Sequence, residues 1–192
     1  MTFEIIKQND MNIKKWSGGT SKEIFIYPKN SSYENRDFKF RISSAKVELE
    51  ESNFTRLENI KRVIMVLDGE LKLVHGSRYK RHLKKFNQDT FMGDWETKSY
   101  GKAVDFNLML REDVDGRVEY IDLKENESMN IKKTLLEKGK KVFHGLYVES
   151  GEVMVEGNIL KSGEFILIKD FDNYKVNSIK NSNVIISKVK NW

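Results

Sequence analysis

One pattern occurs twice in this chain and restricts the fold more than any other. Val66-Leu67-Asp68-Gly69-Glu70-Leu71-Lys72-Leu73 reads as an apolar strand, a polar residue with glycine, a glutamate and a second apolar strand. Tyr147-Val148-Glu149-Ser150-Gly151-Glu152-Val153-Met154-Val155 repeats it. Asp-Gly and Ser-Gly suit tight hairpin turns, because glycine takes positive φ without steric cost. Both copies run on to a second glycine followed by an acid and an aromatic: Phe91-Met92-Gly93-Asp94-Trp95 in the first, Lys161-Ser162-Gly163-Glu164-Phe165 in the second. The stretch between the two landmarks is longer in the first copy, and the extra length carries the basic run Arg78-Tyr79-Lys80-Arg81-His82-Leu83-Lys84-Lys85.

Short alternating or apolar runs bounded by glycine, asparagine and serine fill the rest of the chain. The clearest strands are Glu23–Tyr27, Phe38–Ile42, Val63–Leu67, Leu71–Val74, Phe106–Leu110, Leu146–Glu149, Val153–Val155, Glu164–Ile168 and Val184–Val189. The one helical candidate is Met129–Lys138. An apolar fraction of 39% over 192 residues supports a real core. The expectation is an all-β chain with little helix, built as two jelly-roll β-barrel modules of the cupin type, a bicupin. A boundary between Val118 and Lys133 fits, because Lys124-Glu125-Asn126-Glu127-Ser128 is polar and lacks strand character. That places a first barrel at residues 1–125 and a smaller one at 126–192, with the N-terminal strands open to sharing between them.

Composition removes several chemistries. Without cysteine there are no disulfides, thiol nucleophiles or thiolate metal sites. No run approaches the length of a membrane span, and Met1–Asp10 lacks the basic start and apolar stretch of a secretory signal. A cytoplasmic protein without membrane contact is the resulting expectation. The formal charge of +5 raises the question of nucleic acid. The basic run, however, follows an apolar strand ending in His75-Gly76-Ser77, where lysines usually solvate a hairpin tip or edge strand and discourage edge-to-edge pairing. With no reading helix beside it, the expectation is against nucleic-acid binding.

The most informative strand is Asp105-Phe106-Asn107-Leu108-Met109-Leu110-Arg111. Alternate side chains point to opposite sheet faces, so Phe106, Leu108 and Leu110 form an apolar row and Asp105, Asn107, Met109 and Arg111 the other. The second row either faces water, as on many antiparallel strands, or lines a pocket, which Met109 among polar residues favours. Arg41, Arg62 and Arg111 stand out in a chain far richer in lysine. Arg41 and Ser43 lie opposite the row Phe38, Phe40 and Ile42, and after Ser44 the apolar phase shifts to Ala45, Val47 and Leu49, which reads as a bulge or bend. A guanidinium grips a carboxylate through two parallel hydrogen bonds; the competing reading pairs Arg41 or Arg111 with Asp105 or Glu23 in a structural network. Gly18-Gly19 lets the backbone turn or approach a ligand. His75, His82 and His144 are too scattered for a two-histidine-one-carboxylate metal site, and serine-elbow, phosphate-loop and dinucleotide motifs are missing. No catalytic residue, cofactor or metal is assigned.

Assembled, these pieces resemble the HutD/Ves family of small bicupin proteins. The resemblance rests on Trp16-Ser17-Gly18-Gly19-Thr20-Ser21-Lys22-Glu23-Ile24, Phe40-Arg41-Ile42-Ser43-Ser44-Ala45-Lys46-Val47, Phe54 with Arg62, Leu67-Asp68-Gly69, Phe91-Met92-Gly93-Asp94 and the 105–111 strand. It covers the first two-thirds of the chain, and from about Asn126 only the generic cupin hairpin matches. Phe40 departs from the tryptophan the family often carries. The resemblance implies a bicupin without the usual metal-binding histidines. For the HutD branch it implies a modulator of histidine utilisation that binds a small carboxylate or pathway intermediate, and for the Ves branch an open role associated with stress or cold response. The leading expectation is a small organic anion, such as urocanate or formylglutamate, in the first barrel. Arg41 and Arg111 hold its carboxylate, Asn107 orients it, and Asp105 and Glu23 position the arginines or accept a ligand N–H. Ser43 lies beside Arg41, Trp16 and Met109 form walls, and Gly18 and Gly19 let a loop close. The alternative is an isomerase or lyase acting on a sugar or amino-acid derivative by carboxylate acid-base chemistry. A third reading is a regulatory partner that uses the basic run, and a homodimer through edge strands is compatible with all three.

Overall fold

A computed structural model of the chain describes residues 1–134 and 141–191. In chain order the strands are β1 (Thr2–Ile6), β2 (Asn12–Trp16), β3 (Gly19–Tyr27), β4 (Phe40–Val47), β5 (Glu51–Asn53), β6 (Ile60–Gly69), β7 (Leu71–His75), β8 (Tyr79–Leu83), β9 (Gln88–Met92) and β10 (Thr97–Tyr100). They continue with β11 (Ala103–Arg111), β12 (Val114–Leu123), β13 (Ser128–Lys132), β14 (Lys141–Ser150), β15 (Glu152–Val155), β16 (Asn158–Lys161), β17 (Phe165–Lys169), β18 (Asn173–Ser178) and β19 (Ser182–Asn191). A short 3-10 turn at Gln8–Asp10 is the only helical element among the described residues. The helical candidate is therefore overturned over Met129–Lys132, which lie in β13; there Ile131 is buried between exposed neighbours, the alternation of a strand. The remainder of that candidate, from residue 135, lies outside the described residues.

The chain divides into two compact units, one of Asn12–Val114 and one of Met1–Met11 with Asp115–Trp192. The division lies ahead of the polar stretch near Glu125, because β12 pairs with β19 and so belongs to the second unit. Each unit has a large and a small antiparallel sheet. The first holds β2-β3-β4-β11-β6-β9 and β5-β10-β7-β8; the second holds β1-β17-β14-β19-β12 and β13-β18-β15-β16. Strand order repeats: β4-β11-β6-β9 answers β12-β19-β14-β17, and each small sheet of one unit answers that of the other.

The repeated Asp-Gly and Ser-Gly turns are corners, not hairpins. β6 belongs to the large sheet and β7 to the small one, and the same holds for β14 and β15. The apolar rows on either side of each glycine face each other across a core instead of lying side by side. Ile64 and Val66 pack in one cluster with Leu71 and Leu73, and Leu146 and Val148 with Val153 and Val155. The second landmark also shifts. In the second unit Gly163 N–H donates to the Val148 carbonyl at 2.8 Å, and Val148 N–H to the Glu164 carbonyl at 3.0 Å. In the first unit the same pair of bonds joins Phe86 to Val66 at 2.7 Å and Val66 to Asn87 at 3.1 Å. Phe86, with φ of 63°, therefore matches Gly163 at 82°, and Gly93 is instead the point where the backbone approaches Leu57 and Ile60.

Corner geometry gives a graded expectation. Gly69 has φ of +75°, and a Cβ there falls 2.4 Å from the Lys102 carbonyl oxygen, whereas Gly157 has φ of +82° with nothing within 4 Å. Gly157→Ala costs about 1–2 kcal/mol of left-handed strain, and Gly69→Ala costs more, because backbone must also move. Equilibrium urea unfolding of both variants checks the order, and equal losses would remove the corner argument.

The basic run forms β8, an edge strand of its sheet among the described residues. Arg78 lies over the Trp95 ring at 4.7 Å, and His82 is bonded to Glu70 at 2.7 Å.

Candidate functional site

The row Asp105, Asn107 and Met109 does not face water: the three are 3%, 5% and 3% exposed. Directly opposite residues in paired strands share a face. On one side the row meets Ala45, Ser43 and Arg41 of β4, and on the other Val66, Ile64 and Arg62 of β6. Beyond these come Glu23 of β3, opposite Ser43, and Phe91 of β9, opposite Arg62. Ile64, Val66, Phe91 and Ala103 on this face belong to the core of the first unit, so the polar residues are set into an apolar interior.

Arg41 is firmly held. Its Nε donates to Glu23 Oε2 at 2.7 Å, its Nη1 to Ser43 Oγ at 2.9 Å, and its guanidinium lies 4.7 Å from the Tyr33 ring centre. This is the network that the competing reading of Arg41 describes, and it leaves other guanidinium N–H groups to act. Arg62 is different. Only 5% exposed, it lies 4.6 Å from the Phe54 ring centre and 5.6 Å from that of Phe91, and its Nε has no hydrogen-bond partner. Asp105 Oδ1 and Asn107 Oδ1 are likewise buried and unpartnered. Buried polar atoms are nearly always bonded, so three orphans on one face call for an explanation.

The electrostatics are those of a dry site. Burial pushes the Asp105 carboxyl up to about 7, against the opposing pull of the Arg62 charge and a hydrogen bond from the Ala45 backbone. Burial brings Arg62 down to about 10, which still leaves it cationic at neutral pH. The face therefore carries a buried guanidinium that meets no carboxylate directly and an acid half-neutralised near pH 7.

The other sequence-predicted residues lie elsewhere. Arg111 is partly exposed at the end of β11, and its Nη1 donates to the Arg36 carbonyl at 2.7 Å. Trp16 is 39% exposed on an edge strand, with its ring against Gly18. Gly19 stands opposite Val47, at the far end of β4 from Arg41, and its closeness to the Lys46 carbonyl serves strand packing. An open groove of about 370 Å³ near that end, lined by Lys46, Val47, Glu48, Asp68, Lys102, Ala103 and Val104, contains none of the buried polar cluster. The bulge expected after Ser44 is not in β4, whose register with β11 is continuous; irregularities fall in β3 between Glu23 and Phe25 and where β6 meets Val104 and Asp105. Ala45 and Val47 share the face of Arg41 and Ser43, so the apparent change of phase is one face turning from polar to apolar. Arg62 was missing from the expected site, as were Tyr33 and Phe54, which cover the two guanidinium groups.

The histidines occupy three settings. His75 is buried, bonded to Thr97 and Asp89 at 2.9 Å each. His82 is at the surface with Glu70, and His144 meets the Tyr174 hydroxyl at 3.0 Å in the second unit.

Comparison with known proteins agrees with this architecture. The HutD family profile matches residues 8–186. Protein Ves of Cronobacter sakazakii is 31% identical over 118 residues, covering 59% of this chain and 62% of that protein, so the match spans less than two thirds of the relative. HutD from Pseudomonas fluorescens SBW25, solved in a formate condition, superimposes with a TM-score of 0.78 at 17% identity over the whole of both chains. The Escherichia coli pirin YhhW, in complex with nickel(II), gives 0.74 at 12% identity, with 97% of this chain and 98% of that one covered. At such identities the structures speak for the fold alone, which is all-β and cupin-like. The profile match over nearly the full length decides the assignment: the chain belongs to the HutD family.

Proposed function

We propose that this protein is a two-module cupin whose first module binds a small organic anion on the face formed by Arg62, Arg41 and Asn107. The observation that carries the reading is the set of orphaned atoms, Arg62 Nε, Asp105 Oδ1 and Asn107 Oδ1, all buried on one sheet face. An anion satisfies the arginine, and a ligand that also carries an N–H, as urocanate and formylglutamate do, reaches the oxygens as well. The two-module description draws on the repeated strand order of the two units. A role as a modulator of histidine utilisation is what HutD membership implies, and it puts urocanate, formylglutamate and formate at the head of the candidates.

Thermal unfolding in the presence of each candidate tests the reading. A ligand at about 100 times its dissociation constant adds roughly 2.7 kcal/mol of stability, a readily measured shift in midpoint. Arg111→Ala and Trp16→Ala keep the shift, because neither residue belongs to the buried cluster, whereas Arg62→Met loses it. A panel with no active member, or a shift abolished by Arg111→Ala and retained by Arg62→Met, would sink the assignment.

A further inference from the structure

Arg62 and Asp105 sense each other's charge, yet no ion pair closes between them. Opposite charges in a poorly polarisable interior attract strongly, so their separation is imposed by the strands that carry them. Arg62 stands opposite Met109, Asp105 opposite Val66, and Asn107 lies between these positions on β11. Asp105 is buried opposite Ala45 and Val66, and its Oδ1 has no hydrogen-bond partner. Two other carboxylates share the face, and both are taken: Glu23 by Arg41 at 2.7 Å, and Asp89, opposite Ile64, by His75 at 2.9 Å. A buried acid and a buried guanidinium on one sheet face, each with an unpartnered atom, form an arrangement for moving a proton within a bound carboxylate.

We propose that this site catalyses keto–enol tautomerisation of a 2-oxo carboxylate, with Asp105 carrying the proton and Arg62 holding the oxygens. The inference rests on the anion-binding reading above. The ligand's carboxylate and its C2 ketone oxygen face Arg62, and its C3 carbon faces Asp105. Ionised Asp105 Oδ1 removes a proton from C3. The C–H electron pair becomes the C2=C3 bond, and the C2=O π pair moves onto oxygen as an enolate, which the guanidinium stabilises. The proton on Asp105 then passes to the enolate oxygen and gives the enol, with the carboxylate regenerated. Only a proton changes place, so no oxidant or reductant enters. General acid-base catalysis is most effective when the acting group titrates near the working pH, and burial places Asp105 there.

The test follows deuterium uptake at C3 of 2-oxobutyrate in D2O by proton NMR, with binding of the same compound read from the thermal midpoint. Wild-type protein accelerates exchange over buffer on the order of 10²-fold or more. Asp105→Asn loses exchange and still binds, while Arg62→Met loses both. Independently of any variant's folding, the wild-type exchange rate at saturating 2-oxobutyrate rises with pH through about 7, as ionised Asp105 accumulates. Binding of 2-oxobutyrate without exchange would overturn the tautomerase and leave anion binding standing. Exchange that survives Asp105→Asn, or a rate flat across that pH range, would also overturn it. If neither 2-oxobutyrate nor any anion of the earlier panel binds, both readings fall.

Discussion

Arg62→Met combined with Asp105→Asn raises the stability of the ligand-free protein by about 1–4 kcal/mol, the range seen when buried ionic groups give way to packed neutral ones, and at the same time abolishes anion binding. The reason is visible in the cluster. Arg62 is desolvated between Phe54 and Phe91 with its Nε unbonded, and Asp105 is desolvated with Oδ1 unbonded, so both bear the cost of burial without a direct ion pair to offset it. Methionine fills the same slot beside two aromatic rings and adds favourable sulfur–aromatic contact. Asparagine keeps the shape of the acid and removes its charge. Each lost hydrogen bond to a charged group costs the ligand about 1.5–3 kcal/mol, so affinity falls by at least about tenfold from Arg62 alone. Urea unfolding at pH 7, with a titration of the best ligand from the panel, measures both effects. A double variant less stable than wild type would mean that Arg62 and Asp105 stabilise the fold through contacts of their own, and the site reading would lose its basis. The single variants complete a thermodynamic cycle that reports their coupling.

Legibility in the sequence followed how each face is buried. The 105–111 strand announced two kinds of face because its polar and apolar residues alternate, and the structure puts Asp105, Asn107 and Met109 together on a buried one. Arg62 gave a weaker signal. It stands in Ile60-Lys61-Arg62-Val63-Ile64-Met65-Val66-Leu67, a run buried on both faces from Arg62 to Leu67, so no alternation shows which way the guanidinium points. Its position opposite Met109 is set by strand pairing, which the sequence does not display. Arg111 shows what strand phase leaves open: it lies in the same row but ends the strand, where its side chain reaches the Arg36 carbonyl. The glycine corners were found and their geometry was misread, since a polar-Gly turn between apolar strands looks alike whether the chain returns along one sheet or crosses to another. Phe86 escaped because a left-handed conformation at a bulky residue leaves no mark in composition.

The stability of the folded protein carries a pH signature from Asp105, and it runs opposite to the usual behaviour of a carboxylate. Its folded carboxyl titrates at about 7, against an ordinary value of 3.8. Between those values the unfolded chain has released the proton and the folded chain keeps it, so stability falls as pH rises through this window. Asp105's contribution is fully present below about pH 4 and absent above about pH 7. At 1.36 kcal/mol for each unit of pKa difference, the full swing is on the order of 4 kcal/mol. Other carboxylates titrate over the same range, so the informative quantity is the difference between wild type and Asp105→Asn, measured by urea unfolding from pH 4.5 to 8. Relative to the variant, wild type loses stability steadily from pH 4.5 and levels off above about pH 7. The same group ties the ligand to pH. An anion on Arg62 is held best while Asp105 is neutral, and its affinity declines once the neighbouring carboxylate ionises. A ligand that donates an N–H to ionised Asp105 instead binds more tightly as pH rises, so the sign of that slope separates a simple anion from one that bridges both groups. A stability difference flat in pH would show that Asp105 titrates as an ordinary, hydrated acid, and the gap between it and Arg62 would then belong to solvent.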